Sequence, residues 1–322
     1  MILHPVAALA LAAVLAASAA AAGERQIEAP ARGGPLRGTL LAPRAGSPVV
    51  LVIPGSGMTD RDGNSPGLMR AAPYRLIAEG LAAHGIASVR IDKRGMFASA
   101  GALADANAVT IGDYAADVRA WIGAIRRETG APCAWLLGHS EGGVVALAAA
   151  QSAPDLCGLV LVATPGRPMG EVLRWQLRAS GAGAPLLAPA LSTIDALEAG
   201  HRVDAGSLPP ALMALFRPAV QGFLIDLFSH DPARLIAAVR KPVLILQGTR
   251  DIQVGVEDAE RLRRAAPAAE LRLLPDVNHV LKTVGTEDRG ENVATYGDAH
   301  LPLAPGVIDG IAGFIARAGA GG

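Results

Sequence analysis

The sequence predicts an α/β fold built on a parallel sheet, interrupted once by a helical insertion. Three observations predict it. Short apolar runs ending in Gly or Pro alternate with longer stretches of helical spacing, the rhythm of a sheet with helices on both faces. That rhythm breaks between residues 166 and 238 and then resumes. Midway along the chain, "CAWLLGHSEGGVVALAAA" carries a strand through a Gly-His-Ser-Glu-Gly turn straight into a helix. With 322 residues, 51% of them apolar, the chain can hold one large core with an insertion.

The first 22 residues stand apart from this pattern. An alanine-rich apolar run ends in small residues, with Ala20 and Ala22 suited to an A-x-A type cleavage before Gly23. Residues 1–22 therefore read as a secretory signal peptide, although the n-region carries only the amino terminus and His4. An uncleaved anchor is the alternative, since the run is almost long enough to span a membrane. Alanine is a poor anchor, and no cysteine follows for lipid attachment. The expected location is periplasmic or secreted, with no stable membrane insertion once the signal is removed.

The remaining elements follow in order. "RQIEAP" and "LRGTLLAP" suit an entering hairpin, and "SPVVLVIPGSG" a buried strand. "PYRLIAEGLAAHG" has helical spacing and stops at Gly85; "IASVRIDKRG" is the next strand. "TIGDYAADVRAWIGAIRRETG" is an amphipathic helix, with Thr110 as N-cap and Asp113 three residues on. After the central turn, "CGLVLVATPG" is a strand. The 166–238 block is Leu/Ala-rich, punctuated by Gly and Pro, and well placed to act as a lid. Its Trp175, Met213, Phe216, Phe223 and Phe228 should build its core, with one or two of them lining a pocket. "KPVLILQGTRD" and "AELRLLPDVNH" resume the sheet, "PGVIDGIAGFIARAG" closes it as a helix, and the tail after Ala316 should fray. The core is thus 23–165 and 239–322.

Cys133 and Cys157, the only cysteines, each sit just before an apolar strand-like run. Adjacent parallel strands would bring those starts roughly 5 Å apart, which suits a disulfide in an oxidising compartment. Two buried free thiols are the alternative. Formal net charge is zero and no long basic run appears, which argues against a nucleic-acid partner. No metal-ligand spacing is seen.

Chemistry gathers around Ser140. Gly138-His139-Ser140-Glu141-Gly142 matches G-x-S-x-G, a weak pattern by itself in a chain with 38 glycines. Its placement on a strand-to-helix turn gives it weight, because a nucleophile there is exposed and faces the following helix's N-terminus. Gly138 and Gly142 would flank a crossing too crowded for a Cβ. A serine needs a base, and the base an acid to fix its tautomer. In this type of sheet the order is Ser, Asp/Glu, His. Asp251 ends "VLILQGTRD" and His279 follows the next strand, both in post-strand loops on the carboxyl edge. Among the other histidines, His4, His84 and His139 precede the serine, His201 and His230 fall in the insertion, and no strand leads into His300. Asp276 is too close in sequence to His279 to reach its far ring nitrogen, and Asp258 looks helical. Two backbone amides should form the oxyanion hole: that of Glu141, and that of Ser56 in the loop after "VVLVI", with Gly57 as fallback.

Together these residues, with "IPGSGMTDRDGN", "RIDKRGMFAS", "GHSEGG", "LQGTRD" and "NHVLK", resemble the α/β-hydrolase superfamily over nearly the whole mature chain. The finer motifs are similar to a bacterial esterase-type, serine aminopeptidase-like group. The resemblance implies a mostly parallel eight-stranded sheet, a triad of Ser140, Asp251 and His279, no cofactor and a small-molecule ester substrate. Pro54 stands where many members carry His before the oxyanion-loop glycine; the donor is a backbone amide, so catalysis should survive. Asp60, Arg61 and Asp62 read better as a stapled loop than as a substrate wall, and Asp92 and Arg94 as structural. An exported carboxylesterase is the expectation. The rivals are a peptidase or acyltransferase on the same residues, and a non-catalytic binding module on a retained fold.

Overall fold

The computed structural model describes residues 23–320, apart from 68, 104, 106, 107 and 182; the signal segment expected at 1–22 lies outside the described residues. Eight strands form one sheet in the order β1-β2-β4-β3-β5-β6-β7-β8. β1 (Gly23–Ala29) and β2 (Leu36–Ala42) make the entering hairpin, with Ile27 opposite Gly38. β2 is antiparallel to β4 (Ala87–Ile91), so it alone runs against the rest. β3 (Val49–Ile53), β5 (Ala134–His139), β6 (Leu156–Val162), β7 (Val243–Gly248) and β8 (Glu270–Leu274) continue in parallel register.

The continuous apolar runs are explained by burial on both faces. Along β3, Val49, Leu51 and Ile53 enter one cluster with Trp121, Ile125 and Val145. Val50 and Val52 enter the other with Tyr74, Ile77, Val307 and Ile311. The first cluster is covered by α2 (Ile111–Thr129) and α3 (Glu141–Ala150), the second by α1 (Pro73–Ala83) and the closing helix Val307–Gly319. α2 starts on the expected capping box: Asp113 N–H donates to Thr110 Oγ1 at 3.0 Å, and Thr110 N–H donates to Asp113 Oδ2 at 3.0 Å.

Among the described residues, five α-helices lie between β6 and β7: α4 (Met169–Ala179), α5 (Ala184–Glu198), α6 (Met213–Phe216), α7 (Pro218–Phe228) and α8 (Pro232–Ala237). Their entry is anchored by Asp258 in α9 (Val256–Ala265). This fully buried carboxylate accepts the N–H groups of Gly166 and Arg167, both at 3.0 Å, and pairs with the Arg167 guanidinium at 2.6 Å. The bulky side chains of the insertion pack largely against the core of the sheet. Phe216 and Phe228 join the first cluster, Phe223 meets Tyr114 edge-on, and Arg167 lies over Trp175 at 5.5 Å.

Two expectations need correction. The closing helix, α11 once the short α10 (Arg289–Ala294) is counted, runs unbroken to Gly319 rather than fraying after Ala316. Cys157 sits inside β6 instead of before it. The β5–β6 register slips there, with Ala134 opposite Leu156 and Trp135 opposite Gly158, so the cysteine is skipped. Cys133 and Cys157 are bonded, their Cα atoms 5.3 Å apart. Denatured, non-reduced protein should show no free thiol; replacing both cysteines by Ala should lower stability by up to about 3 kcal/mol in a denaturant titration.

Candidate active site

Ser140 stands where β5 becomes α3. Its backbone has φ 55° and ψ −126°, outside the regions an L-residue prefers. The strain is held by crowding on both sides. A Cβ at Gly138 would overlap the Gly142 carbonyl, one at Gly142 would overlap the Ile53 carbonyl, and one at Gly143 would strike Thr164 Oγ1. Ser140 N–H donates to Val162 O at 2.9 Å, tying the turn to the end of β6.

Asp251 and His279 are brought together as the sequence predicts. His279 Nδ1–H donates to Asp251 Oδ2 at 2.8 Å, and both side chains are buried. The other carboxylate oxygen, Oδ1, accepts the N–H groups of Gln253 at 2.8 Å and Val254 at 3.0 Å, so the acid cannot swing away. The loop carrying His279 passes over Gly248 at the end of β7, where any Cβ would collide with the Val277 carbonyl. Asn278 locks it by donating to Thr295 Oγ1 at 2.7 Å and accepting Lys282 N–H at 3.0 Å. Among the described residues no hydrogen bond joins Ser140 Oγ to His279; such bonds commonly tighten only with substrate bound. The rejected acids are occupied elsewhere, Asp258 with Arg167 and Asp276 with Arg250 at 3.3 Å.

The amide of Ser56 lies outside the strands in the loop after β3, and that of Glu141 opens α3. Among the described residues, neither nitrogen donates to a side chain or to a carbonyl outside its own element. The "TDRDGN" loop is stapled. Asp60 Oδ1 accepts the N–H groups of Asp62 and Asn64, Asp62 pairs with Arg90, and Arg61 pairs with Asp92 at 2.6 Å. Arg94 pairs with Asp117. An open hollow of about 520 Å³ beside this loop is lined by Asp60, Asn64, Met69, Arg70, Arg75 and Phe97, but by none of Ser140, Asp251 and His279.

Sequence reasoning missed the layer beneath the site. Gly55 N–H donates to Tyr74 Oη at 3.0 Å, and Tyr74 Oη lies 2.9 Å from His139 Nδ1. His139 Nε2 lies 2.8 Å from the His279 carbonyl. A carbonyl only accepts, so Nε2 carries the His139 proton and the tyrosine donates to Nδ1. One chain thus runs from the oxyanion loop, through Tyr74 and His139, to the backbone of His279. Burial, followed by the neighbouring His279, pushes His139 down to about 3. Burial pushes the Tyr74 phenol up, so both stay neutral at ordinary pH. The signal available was position: His139 immediately precedes the serine on the strand end where such groups gather.

Comparison with known proteins accords with this geometry. A family model described as serine aminopeptidase, S33, matches residues 69–283. The esterase EstD of Thermotoga maritima is 27% identical over 290 residues, 88% of this chain; the chain spans 66% of that protein's length. Solved structures similar in fold include the Pyrococcus furiosus esterase PF2001, with TM-score 0.59 and 17% identity over 92% of this chain and 91% of that one. Est1E of Butyrivibrio proteoclasticus, solved with ferulic acid, has TM-score 0.58 and 16% identity over 91% and 99%.

The neutral, buried His139 makes a prediction. Its pKa is depressed on folding, so between the ordinary value of 6.5 and about 3 the unfolded chain binds a proton that the folded chain refuses. Stability should therefore fall as pH drops through that window. His139→Asn, though weaker at neutral pH, should lose less over the same window in thermal melts; an unchanged slope would contradict the assignment. With the elbow, the sheet order and a family match over residues 69–283 in agreement, the chain belongs to the serine aminopeptidase S33 family and has an α/β-hydrolase fold.

Proposed function

We propose that the protein is an exported serine hydrolase that cleaves carboxylic esters of small molecules through an acyl-enzyme. The observation that carries this reading is one sheet edge holding both a serine in a strained strand-to-helix turn and an imidazole gripped by a fully anchored carboxylate. Ser140 Oγ attacks the ester carbonyl while His279 Nε2 takes its proton. Asp251 holds Nδ1–H, which fixes the tautomer and stabilises the imidazolium. The amides of Ser56 and Glu141 receive the oxyanion. The tetrahedral adduct collapses, the C–O bond to the alcohol breaks, and His279 returns the proton to the departing alkoxide. Water then enters; as His279 Nε2 takes one of its protons its oxygen bonds to the acyl carbon, the second adduct collapses with cleavage of the acyl C–Oγ bond, and His279 returns the proton to Ser140 Oγ as the acid leaves. Two observations support export: the signal-like segment at 1–22, and a disulfide that an oxidising compartment would preserve. In this reading the 166–238 insertion is a cap over the site; α4 already touches the Asp251 loop, with Gln176 Nε2 donating to Gln253 O at 2.7 Å.

The family's descriptive name raises a peptidase reading. An aminopeptidase needs carboxylates free to bind a substrate ammonium. The acidic side chains of the insertion are engaged instead. Asp195 and Glu198 pair with Arg174, Glu171 and Asp231 lie near Arg261, Asp226 accepts Ile111 N–H, and Asp204 accepts Gly206 N–H. Ester cleavage therefore fits better.

Hydrolysis of p-nitrophenyl esters from acetate to decanoate tests the proposal. Wild type should turn over, and Ser140→Ala should lose at least about 10³-fold in kcat. Asp251→Asn should lose about 10⁴-fold, because the imidazole takes the wrong tautomer. Equal activity of wild type and Ser140→Ala would refute the mechanism.

A further inference from the structure

Lys93 is a buried lysine that the triad chemistry does not use. It follows β4, and its side chain is 3% exposed. Its ammonium donates to the Gly55 carbonyl at 2.6 Å and lies 3.3 Å from Glu141 Oε1, a carboxylate that is itself only 2% exposed. The Tyr114 ring flanks it at 5.4 Å. Such a pair is a weak stabilising device, because desolvating both charges offsets much of their attraction. Its position suggests a different use.

Both acceptors belong to the oxyanion apparatus. The Gly55 carbonyl and the Ser56 N–H are two ends of one planar trans peptide and point in opposite directions. Drawing the carbonyl back onto an ammonium aims the Ser56 N–H away from Lys93 and polarises it. The preceding Gly55 N–H is held by Tyr74, so the loop is fixed on both sides of the Gly55 Cα. Glu141 carries the other donor on its own backbone, and its side chain grips the same ammonium.

We propose that Lys93 is a positioning residue for the oxyanion hole. Its ammonium fixes the plane of the Gly55–Ser56 peptide and couples it, through the Glu141 carboxylate, to the residue bearing the second donor. Lys93 touches no reacting atom and acts through Gly55. The inference rests on the serine-hydrolase reading above.

Phosphonylation of Ser140 by a fluorophosphonate tests it without knowledge of the natural substrate. The rate would be followed by mass spectrometry of the Ser140 peptide, beside kcat and KM on the best p-nitrophenyl ester. Lys93→Met strands a buried carboxylate and should lose both stability and rate. The double variant Lys93→Met/Glu141→Met removes the stranded charge and should regain thermal stability. Its phosphonylation rate and kcat should nonetheless stay about 10–100-fold below wild type, with KM within about threefold. A merely structural ion pair predicts that rate returns with stability, and that result would overturn the inference. Lys93→Gln gives a second reading if the double variant does not fold. Its amide can still donate to Gly55 but cannot neutralise Glu141, so it should label faster than Lys93→Met; equal rates would overturn the inference. Wild type that fails to label at Ser140 refutes the serine-nucleophile reading itself, whereas labelled wild type with undiminished variants refutes only the role of Lys93.

Discussion

At Gly138 and Gly142 the end of β5 and the start of α3 pass beneath the end of β3 with no space for a side chain. Everything at the carboxyl edge depends on that crossing. It forces Ser140 into positive φ and places the first turn of α3 under the serine. It also brings the loop after β3 so close that a Cβ on Gly55 would lie 3.3 Å from Ser140 Cβ. Strain of this kind costs on the order of 1–3 kcal/mol and persists only where the surroundings dictate it. Here two parallel neighbours, β3 and β6, flank β5 and leave the turn no alternative path.

Around the crossing lies a polar layer that is buried and largely satisfied. Tyr74, His139, Lys93 and Glu141 are each held by partners from distant parts of the chain, so four elements share one network. Desolvation keeps His139 neutral, which lets it accept from Tyr74 on one side and donate to the His279 backbone on the other. The same low-dielectric surroundings strengthen the pull of Lys93 on the Gly55 carbonyl. Asp251, tied by two backbone amides, gives His279 a fixed anchor from the opposite side. The outcome is a loop after β3 and a His279–Asp251 pair that are each held in place by buried hydrogen bonds.

Much of this was legible in the sequence because it depends on local rules. The Thr110–Asp113 capping box, the buried runs of β3, β5, β6 and β7, and the turn at Ser140 each follow from residues a few positions apart. Asp251 and His279 were legible through chain order and strand ends. Cys133 and Cys157 could be paired because adjacent parallel strands begin side by side; the register slip that skips Cys157 is a packing detail no local rule supplies. Lys93 was not legible. In "DKRG" it stands between Asp92 and Arg94, whose ion pairs with Arg61 and Asp117 are structural, and only the three-dimensional approach of Gly55 and Glu141 distinguishes it. His139 was hidden for the same reason, its partners lying 65 and 140 residues away.

The most direct test of the central claim, that the crossing presents a serine to two preset amides, is a crystal structure of the phosphonylated protein. Phosphorus should be bonded to Ser140 Oγ, with the phosphonyl oxygen about 2.7–3.1 Å from the backbone nitrogens of both Ser56 and Glu141. A phosphonyl oxygen turned to solvent, or an adduct on any other residue, would contradict it.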